Sequence, residues 1–308
     1  MTGPASDADG ICLAFAKEDA GGAAPPLKPD MLWLLRGGRT LCVSPFCVMG
    51  VANITSDSFY DGGMHDTPES AVRHCLRLLE QGAHILDLGA QSSRPGARDC
   101  APEEEQARLL PVLRGLRNCL PGREAVVSID TYRASSARLA LENGADIIND
   151  ISACTFDPEL LNTLVEYKPG YVLMHCRGCP ADMQENPRYT NVVDEVLHFF
   201  EKELTRLCGA GLTERSIVLD PGIGFGKRLE DNIALLHGIS RLRDLGRPLL
   251  VGLSMKSLFG DLLGLAPERR GPATQIATAI LAVKGVPLHR VHDVPGALDA
   301  LRLAQAVG

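Results

Sequence analysis

The sequence predicts an α/β fold, a single-domain (β/α)8 TIM barrel, and three observations predict it. Eight short apolar runs recur along the chain, with stretches of helical composition between them. Almost every run ends on a polar residue able to do chemistry. The length of 308 residues exceeds the ~250 typical of such barrels by one modest extension. Active sites of these barrels gather at the C-terminal ends of the strands, so the pattern reads as an enzyme.

Taken in order, residues 1–36 are expected to be an N-terminal extension, largely unstructured, rich in Gly, Ala, Pro and Asp around Gly21-Gly22-Ala23-Ala24-Pro25-Pro26. Residues 37–308 form the barrel domain, with no second linker. The first run, Cys47 to Val51, leads to Asn53. The loop that follows, Asn53 to Gly63, is long and polar with one aromatic pair, Phe59 and Tyr60, as expected of a mobile lid. Thr67-Pro68-Glu69-Ser70 then opens a helix with an N-cap, proline at the first position and acid in the first turn. Its apolar stripe is Ala71, Val72, Cys75, Leu78 and Leu79, closed by Gly82.

The second run, Ile85 to Leu88, contains Asp87 and leads to Gln91, Ser93 and Arg94 in a loop stiffened by Pro95. Ala101-Pro102-Glu103-Glu104-Glu105 opens the next helix by the same logic. The third run, Ala125 to Ile129, ends at Asp130, and the fourth, Ile147 and Ile148, runs into Asn149 and Asp150. Asp157-Pro158-Glu159 starts another helix. The fifth run, Tyr171 to Met174, ends at His175, and the longest helix runs from Asn191 to about Cys208, stopping at Gly209 or Gly211. The sixth, Ile217 to Leu219, ends at Asp220 and continues as Pro221-Gly222-Ile223-Gly224-Phe225-Gly226-Lys227. The seventh, Leu249 to Leu253, ends at Ser254 with Met255, Lys256 and Ser257 behind it, and the eighth, Leu288 to Val291, carries Arg290 and leads to His292.

A hydrophobic fraction of 45% and a charged fraction of 22% match an ordinary globular domain. A net charge of -7 argues against a nucleic-acid binder or a basic membrane-surface protein, although a few cations focused in a cleft can still hold an anion. No apolar run approaches the ~20 residues that span a bilayer, and the acidic N-terminal segment is no secretory signal. Ten cysteines scattered through strands and helices suit reduced thiols in a cytoplasm.

Five of these strand-end segments, in this order, resemble the dihydropteroate synthases of the pterin-binding enzyme family: Asn53 to Gly63, Ser92 to Gly96, Asp220 to Lys227, Gly252 to Ser257, and Arg290 to Val294. The resemblance covers roughly Gly38 to the C-terminus. It implies a transferase of folate biosynthesis, joining 6-hydroxymethyl-7,8-dihydropterin diphosphate to p-aminobenzoate by loss of diphosphate and attack of the arylamine. It implies a pterin held by Asp130, Asn149, Asp220 and Lys256, with Phe225 and Cys176 packing nearby and Arg290 stacked on the ring and meeting the diphosphate. Asn53, Ser93, Arg94, Arg290 and His292 would hold the diphosphate, with a Mg2+ ion bridged to it by Asn53. Phe59, Ser93, Pro95, Lys256 and Ser257 would receive p-aminobenzoate. The resemblance also implies a homodimer formed through the helices late in the chain, and sulfonamides as competitors of p-aminobenzoate.

The chain departs from the family pattern at Ser56 for proline, Gln91 for glutamate, Ser93 for threonine, Cys176 for methionine and Met255 for arginine. Outside the resemblance, Asp87 reads as core support and Asp150 as a capping residue. Cys176 and Cys179 form a CxxC without the second ligand pair of a zinc site. The glycines 222, 224 and 226 do not make a P-loop, since Arg228 follows Lys227; they are expected to let the backbone approach a bound ring. Two rival functions stay open: a pterin-dependent methyltransferase, which needs no diphosphate cradle, and a non-catalytic pterin-binding paralogue.

Overall fold

The computed structural model describes residues 32–54, 67–91, 100–120, 125–180 and 182–307. A short antiparallel hairpin, β1 (Leu32–Leu34) and β2 (Thr40–Cys42), precedes eight parallel strands. These are β3 (Cys47–Asn53), β4 (Ile85–Gly89), β5 (Val126–Asp130), β6 (Ile147–Asp150), β7 (Gly170–Met174), β8 (Ile217–Asp220), β9 (Leu250–Val251) and β10 (Leu288–Val291). Each pairs with its neighbour in chain order, and β10 returns to pair with β3. The circle closes between β8 and β9 through a parallel bridge from Leu219 to Leu249 and a 3.0 Å hydrogen bond from the Leu219 amide to the Pro248 carbonyl.

The helices lie outside the barrel: α1 (Pro68–Glu80), α2 (Pro102–Cys119), α3 (Ala134–Glu142), α4 (Glu159–Tyr167), α5 (Val192–Ala210), α6 (Leu229–His237), α7 (Ile239–Arg243), α8 (Leu258–Leu263), α9 (Gly271–Val283) and α10 (Val294–Val307). Their ends follow local chemistry. Thr67 and Ser70 form a reciprocal capping box on α1 with both bonds at 3.3 Å. Asn191 caps α5 through the amides of Val193 and Asp194, and Gly211 ends it at φ 113. Asp157 serves two helices at once, accepting from the Ala134 amide at the start of α3 and the Glu159 amide at the start of α4.

Alternation with period two sorts each strand into an inner and an outer row. Outward side chains such as Val48, Leu86, Val127, Ile148, Leu173, Leu219 and Val251 pack into the layer between strands and helices. Inward ones divide by height. Near the N-terminal ends, Cys47, Met49, Ile85, Val126, Ile147, Val172, Val218, Leu250 and Leu288 form a separate apolar core. Two residues further along the same inner rows, or four for Asp130, stand Asp87, Ser128, Asp130, Asn149, Asp220 and Arg290. The barrel is therefore dry at one end and polar at the other.

The hairpin seals the dry end. Trp33, Leu35, Leu41 and Val43 belong to the inner core, and the Trp33 indole N–H donates to the Ser216 carbonyl at 2.7 Å. The sequence-based boundary after residue 36 therefore needs correction, since Leu32–Leu34 already belong to the packed domain. Strands of three residues are too short to carry a periodic signal.

Trp33→Ala should destabilise the protein by about 3–5 kcal/mol through the void it leaves. Urea unfolding would show this, with the folded fraction keeping its ligand affinity because the polar end lies one layer away.

Candidate active site

At the polar end, Arg290 reaches across the barrel from β10. Its Nε donates to Asp87 Oδ2 at 2.7 Å and its Nη2 to Asp130 Oδ2 at 2.8 Å. Asn149 Nδ2 donates to the same Asp87 oxygen at 3.1 Å. Burial alone would lower the Arg290 guanidinium, but the carboxylates of Asp87 and Asp130 outweigh it and hold it above its usual range. Burial raises the Asp130 carboxyl, with the Arg290 charge opposing and Asp87 adding to the rise. Gly89 lies between two of these groups: a Cβ there would stand 3.6 Å from Asn53 Oδ1 and 3.8 Å from Asp130 Oδ2. The ends of β3, β4 and β5 thus converge on one spot.

The opposite wall comes from β8 and the segment after β9. Asp220 is buried and accepts from the Gly222 amide at 2.7 Å. Burial raises its carboxyl, and Lys256 is the strongest influence pulling it back. Lys256 donates to the Ile223 carbonyl, with its Nζ 4.7 Å from the centre of the Phe225 ring. Burial pushes the Lys256 ammonium down to about 8, while Asp220 supports its charge and Arg290 opposes it. These mutual influences put Asp220, Lys256 and Arg290 near one another.

Lys227 holds the loops that carry these groups. It is buried, and its Nζ lies 2.9 Å from His175 Nδ1, 3.1 Å from the His175 carbonyl, 2.9 Å from the Gly222 carbonyl and 3.0 Å from the Phe225 carbonyl. Burial lowers it to about 7 and lowers His175 to about 2, so His175 is neutral at physiological pH. The glycines of this loop answer to the same contact. A Cβ at Gly222 would fall 2.0 Å from the His175 carbonyl oxygen, and one at Gly226 would fall 2.2 Å from the Arg177 carbonyl oxygen. The expectation that these two glycines admit a bound ring is corrected: they admit the neighbouring loop.

Of the expected site residues, Asn53, Asp130, Asn149, Asp220, Phe225, Lys256 and Arg290 lie at this end of the barrel. Cys176 is half-buried beside them, its thiol directed to the Gly178 carbonyl and Met183 sulfur and raised to about 11 by burial. His292 follows β10 and pairs through Nδ1 with Ser254 Oγ at 2.9 Å. Ser257 is exposed where α8 begins. Phe59, Ser93, Arg94 and Pro95 lie outside the described residues. Asp150 is tied to Ser152, Cys154 and Tyr171, as a capping residue should be.

Sequence reasoning missed two members. Asp87 sits inside an apolar run, and only its inward register, opposite Ser128, marks it as facing the polar end. Lys227 stands in a segment that fails the P-loop pattern, and nothing else in the sequence gives it a role. Among the described residues no group of three or more His, Cys, Asp or Glu could hold a metal. A single carboxamide oxygen at Asn53 fits a Mg2+ ion, which commonly takes one or two protein oxygens plus phosphate and water.

A family model described as "Pterin binding enzyme" matches residues 49–292. The dihydropteroate synthase of Synechocystis sp. is 40% identical over 284 residues, spanning 92% of this chain and 95% of that protein. That of Escherichia coli K12 is 38% identical over 273 residues, spanning 89% and 95%. Among solved structures, the Yersinia pestis dihydropteroate synthase with a sulfonamide drug superposes with a TM-score of 0.83 at 36% identity, covering 88% of this chain and 97% of that one. The Xanthomonas albilineans enzyme with 4-aminobenzoic acid gives 0.81 at 40% identity, covering 89% and 98%. The same enzyme in complex with 7,8-dihydropteroate gives 0.77 at 38%, with the same coverage.

Gly222 and Gly246 both have positive φ, 65 and 69, but no atom lies within 4 Å of a Cβ at Gly246. Gly246→Ala should cost about 1–2 kcal/mol for its backbone conformation alone. Gly222→Ala should cost clearly more in thermal unfolding, because the neighbouring carbonyl must move. Equal losses would refute the loop contact.

Proposed function

The chain belongs to the pterin binding enzyme family, and we infer from its site that it is a dihydropteroate synthase, a transferase of folate biosynthesis. It condenses 6-hydroxymethyl-7,8-dihydropterin diphosphate with p-aminobenzoate to give 7,8-dihydropteroate and diphosphate. The observation that carries this reading is the grouping of carboxylates and cations at one barrel mouth: Asp130 and Asp220 with Asn149 between their strands, and Arg290 and Lys256 beside them.

In this reading the pterin lies on Asp130, Asn149 and Asp220, with Lys256 at its carbonyl side and Phe225 and Cys176 as packing neighbours. Arg290 stacks on the ring and faces the diphosphate, which Asn53, Ser93, Arg94 and His292 also hold. Phe59, Ser93, Pro95, Lys256 and Ser257 receive p-aminobenzoate. The bond from the exocyclic methylene carbon to the diphosphate oxygen breaks first. The pterin spreads the positive charge left behind, and carboxylates against its ring favour that charge. The arylamine nitrogen then forms the new C–N bond and loses a proton. Catalysis is mostly positioning and electrostatics, with no protein nucleophile. A Mg2+ ion held by Asn53 would neutralise part of the diphosphate charge when bound.

The diphosphate residues that the resemblance implies, Arg94 with Arg290 and His292, favour this reading over a methyltransferase, which has no such anion to hold. Cytoplasmic location fits the nine described cysteines, all free thiols. No described helix is long and apolar enough to cross a membrane. A homodimer fits the exposed apolar side chains of the last helices: Ile276, Ile280 and Val283 on α9, with Leu303 and Val307 on α10.

Steady-state assay with the two substrates tests the activity. Diphosphate and dihydropteroate should form one to one, with sulfonamides competing against p-aminobenzoate; pterin binding without turnover at any enzyme concentration would favour the binding paralogue. Asp220→Ala and Lys256→Ala should each abolish pterin diphosphate binding in calorimetry, and near-normal affinity in both refutes the pocket. Because Lys256 is an ammonium below about 8 and loses its charge above it, affinity for the anionic pterin should fall as pH rises through that value. Lys256→Gln should remove that step. Ile280→Asp should leave a folded monomer in sedimentation equilibrium, and an unchanged dimer would place the interface elsewhere.

A further inference from the structure

We propose that Asp87 is a positioning residue of the pterin pocket, whose one carboxylate dictates which face of Asn149 meets the ligand and fixes Arg290 beside it. The inference rests on the pterin-site reading and adds the polarity of one contact within it. Asp87 is buried on the inner row of β4. Its Oδ2 accepts both from Arg290 Nε, at 2.7 Å, and from Asn149 Nδ2, at 3.1 Å.

A carboxylate paired with a guanidinium has lone pairs and no proton to give. An asparagine amide has two unlike edges, one donating and one accepting. With one N–H drawn to Asp87, Asn149 keeps its carbonyl oxygen and its second N–H for a ligand, and which edge carries the oxygen is fixed. The turned amide would set oxygen against oxygen in a buried site, where an unmade hydrogen bond is costly. The carbonyl edge of Asn149 therefore accepts, and on that edge it selects a ligand that presents a ring N–H or an amino group. An acceptor nitrogen or a carbonyl at that place is rejected.

Arg290 is fixed by the same oxygen. Asp87 takes its Nε edge and Asp130 takes Nη2, which sets the plane of the guanidinium from two sides. Asp87 Oδ1 and the hydroxyl of Ser128, its register partner on β5, are both buried with no hydrogen bond among the described residues. Asp87 thus acts on its neighbours through one oxygen alone. An asparagine at this position keeps that acceptor, whereas alanine removes it.

Neutron diffraction from deuterated crystals soaked in 6-hydroxymethylpterin reads the polarity directly. One Asn149 amide deuteron should lie towards Asp87 with the carbonyl oxygen towards the ring; a carbonyl oxygen turned to Asp87 overturns the proposal. In solution, dissociation constants for pterin analogues that each lack one ring donor give a second readout. Wild type and Asp87→Asn should penalise loss of the donor facing Asn149 by about tenfold or more. Asp87→Ala, with the amide free to turn, should bring that penalty down severalfold. An unchanged penalty in Asp87→Ala, with affinity merely lower for every analogue, means a structural role only and sinks the idea. Should Asp87→Ala not fold, the neutron result decides alone. Failure of the wild type to bind any pterin would instead defeat the functional reading, and the ligand-free crystal would still show which way Asn149 points.

Discussion

A guanidinium brought into the middle of a barrel must be neutralised from inside, and the pairing of Arg290 with Asp87 and Asp130 does this. Removing either carboxylate would leave a charge poorly solvated, which is costly in a protein interior. The inner rows accordingly change character at one height. Below it, β3 to β10 supply only apolar side chains, and the Trp33 hairpin closes them off from water. Above it, the same strands supply acids, amides and cations whose charges are set against one another. The site is a consequence of where that boundary falls along each strand.

The electrostatics follow from this placement. Asp130 and Asp220 resist ionisation because they are buried, while Arg290 and Lys256 pull them towards the charged form. The loops are held with similar economy. Lys227 spends its donors on three backbone carbonyls and the His175 ring, so the segment from Gly222 to Phe225 is fixed against the loop after β7.

Much of this was legible in the sequence, for identifiable reasons. Apolar runs ending on Asn53, Asp130, Asn149, Asp220 and Arg290 mark parallel strands that rise out of a core into a site. Proline in the first turn marked α1, the Asn191 cap marked α5, and glycine beyond the last turn marked both, since those residues act locally. What stayed hidden depends on tertiary register. Asp87 interrupts an apolar run, and a core acid and a site acid look alike until the strand is paired with its neighbours. Leu32–Leu34 is too short for periodicity, and its strand exists because Trp33 fills the end of the barrel. Gly222 and Gly226 carry no sign of whether a ligand or a backbone comes near, and here it is the backbone. Met255, where the family pattern has arginine, has φ 61 and bonds through its amide to Thr274 and through its carbonyl to Arg270.

The central claim is that the polar mouth of this barrel grips a pterin by its donor and acceptor edges. A crystal structure with bound pterin tests it most directly. The account requires density for the ring within hydrogen-bonding distance of Asp130, Asn149, Asp220 and Lys256, with the Arg290 guanidinium against its face. A pterin bound elsewhere on the protein, with Arg290 still paired to Asp87 and Asp130, would contradict it.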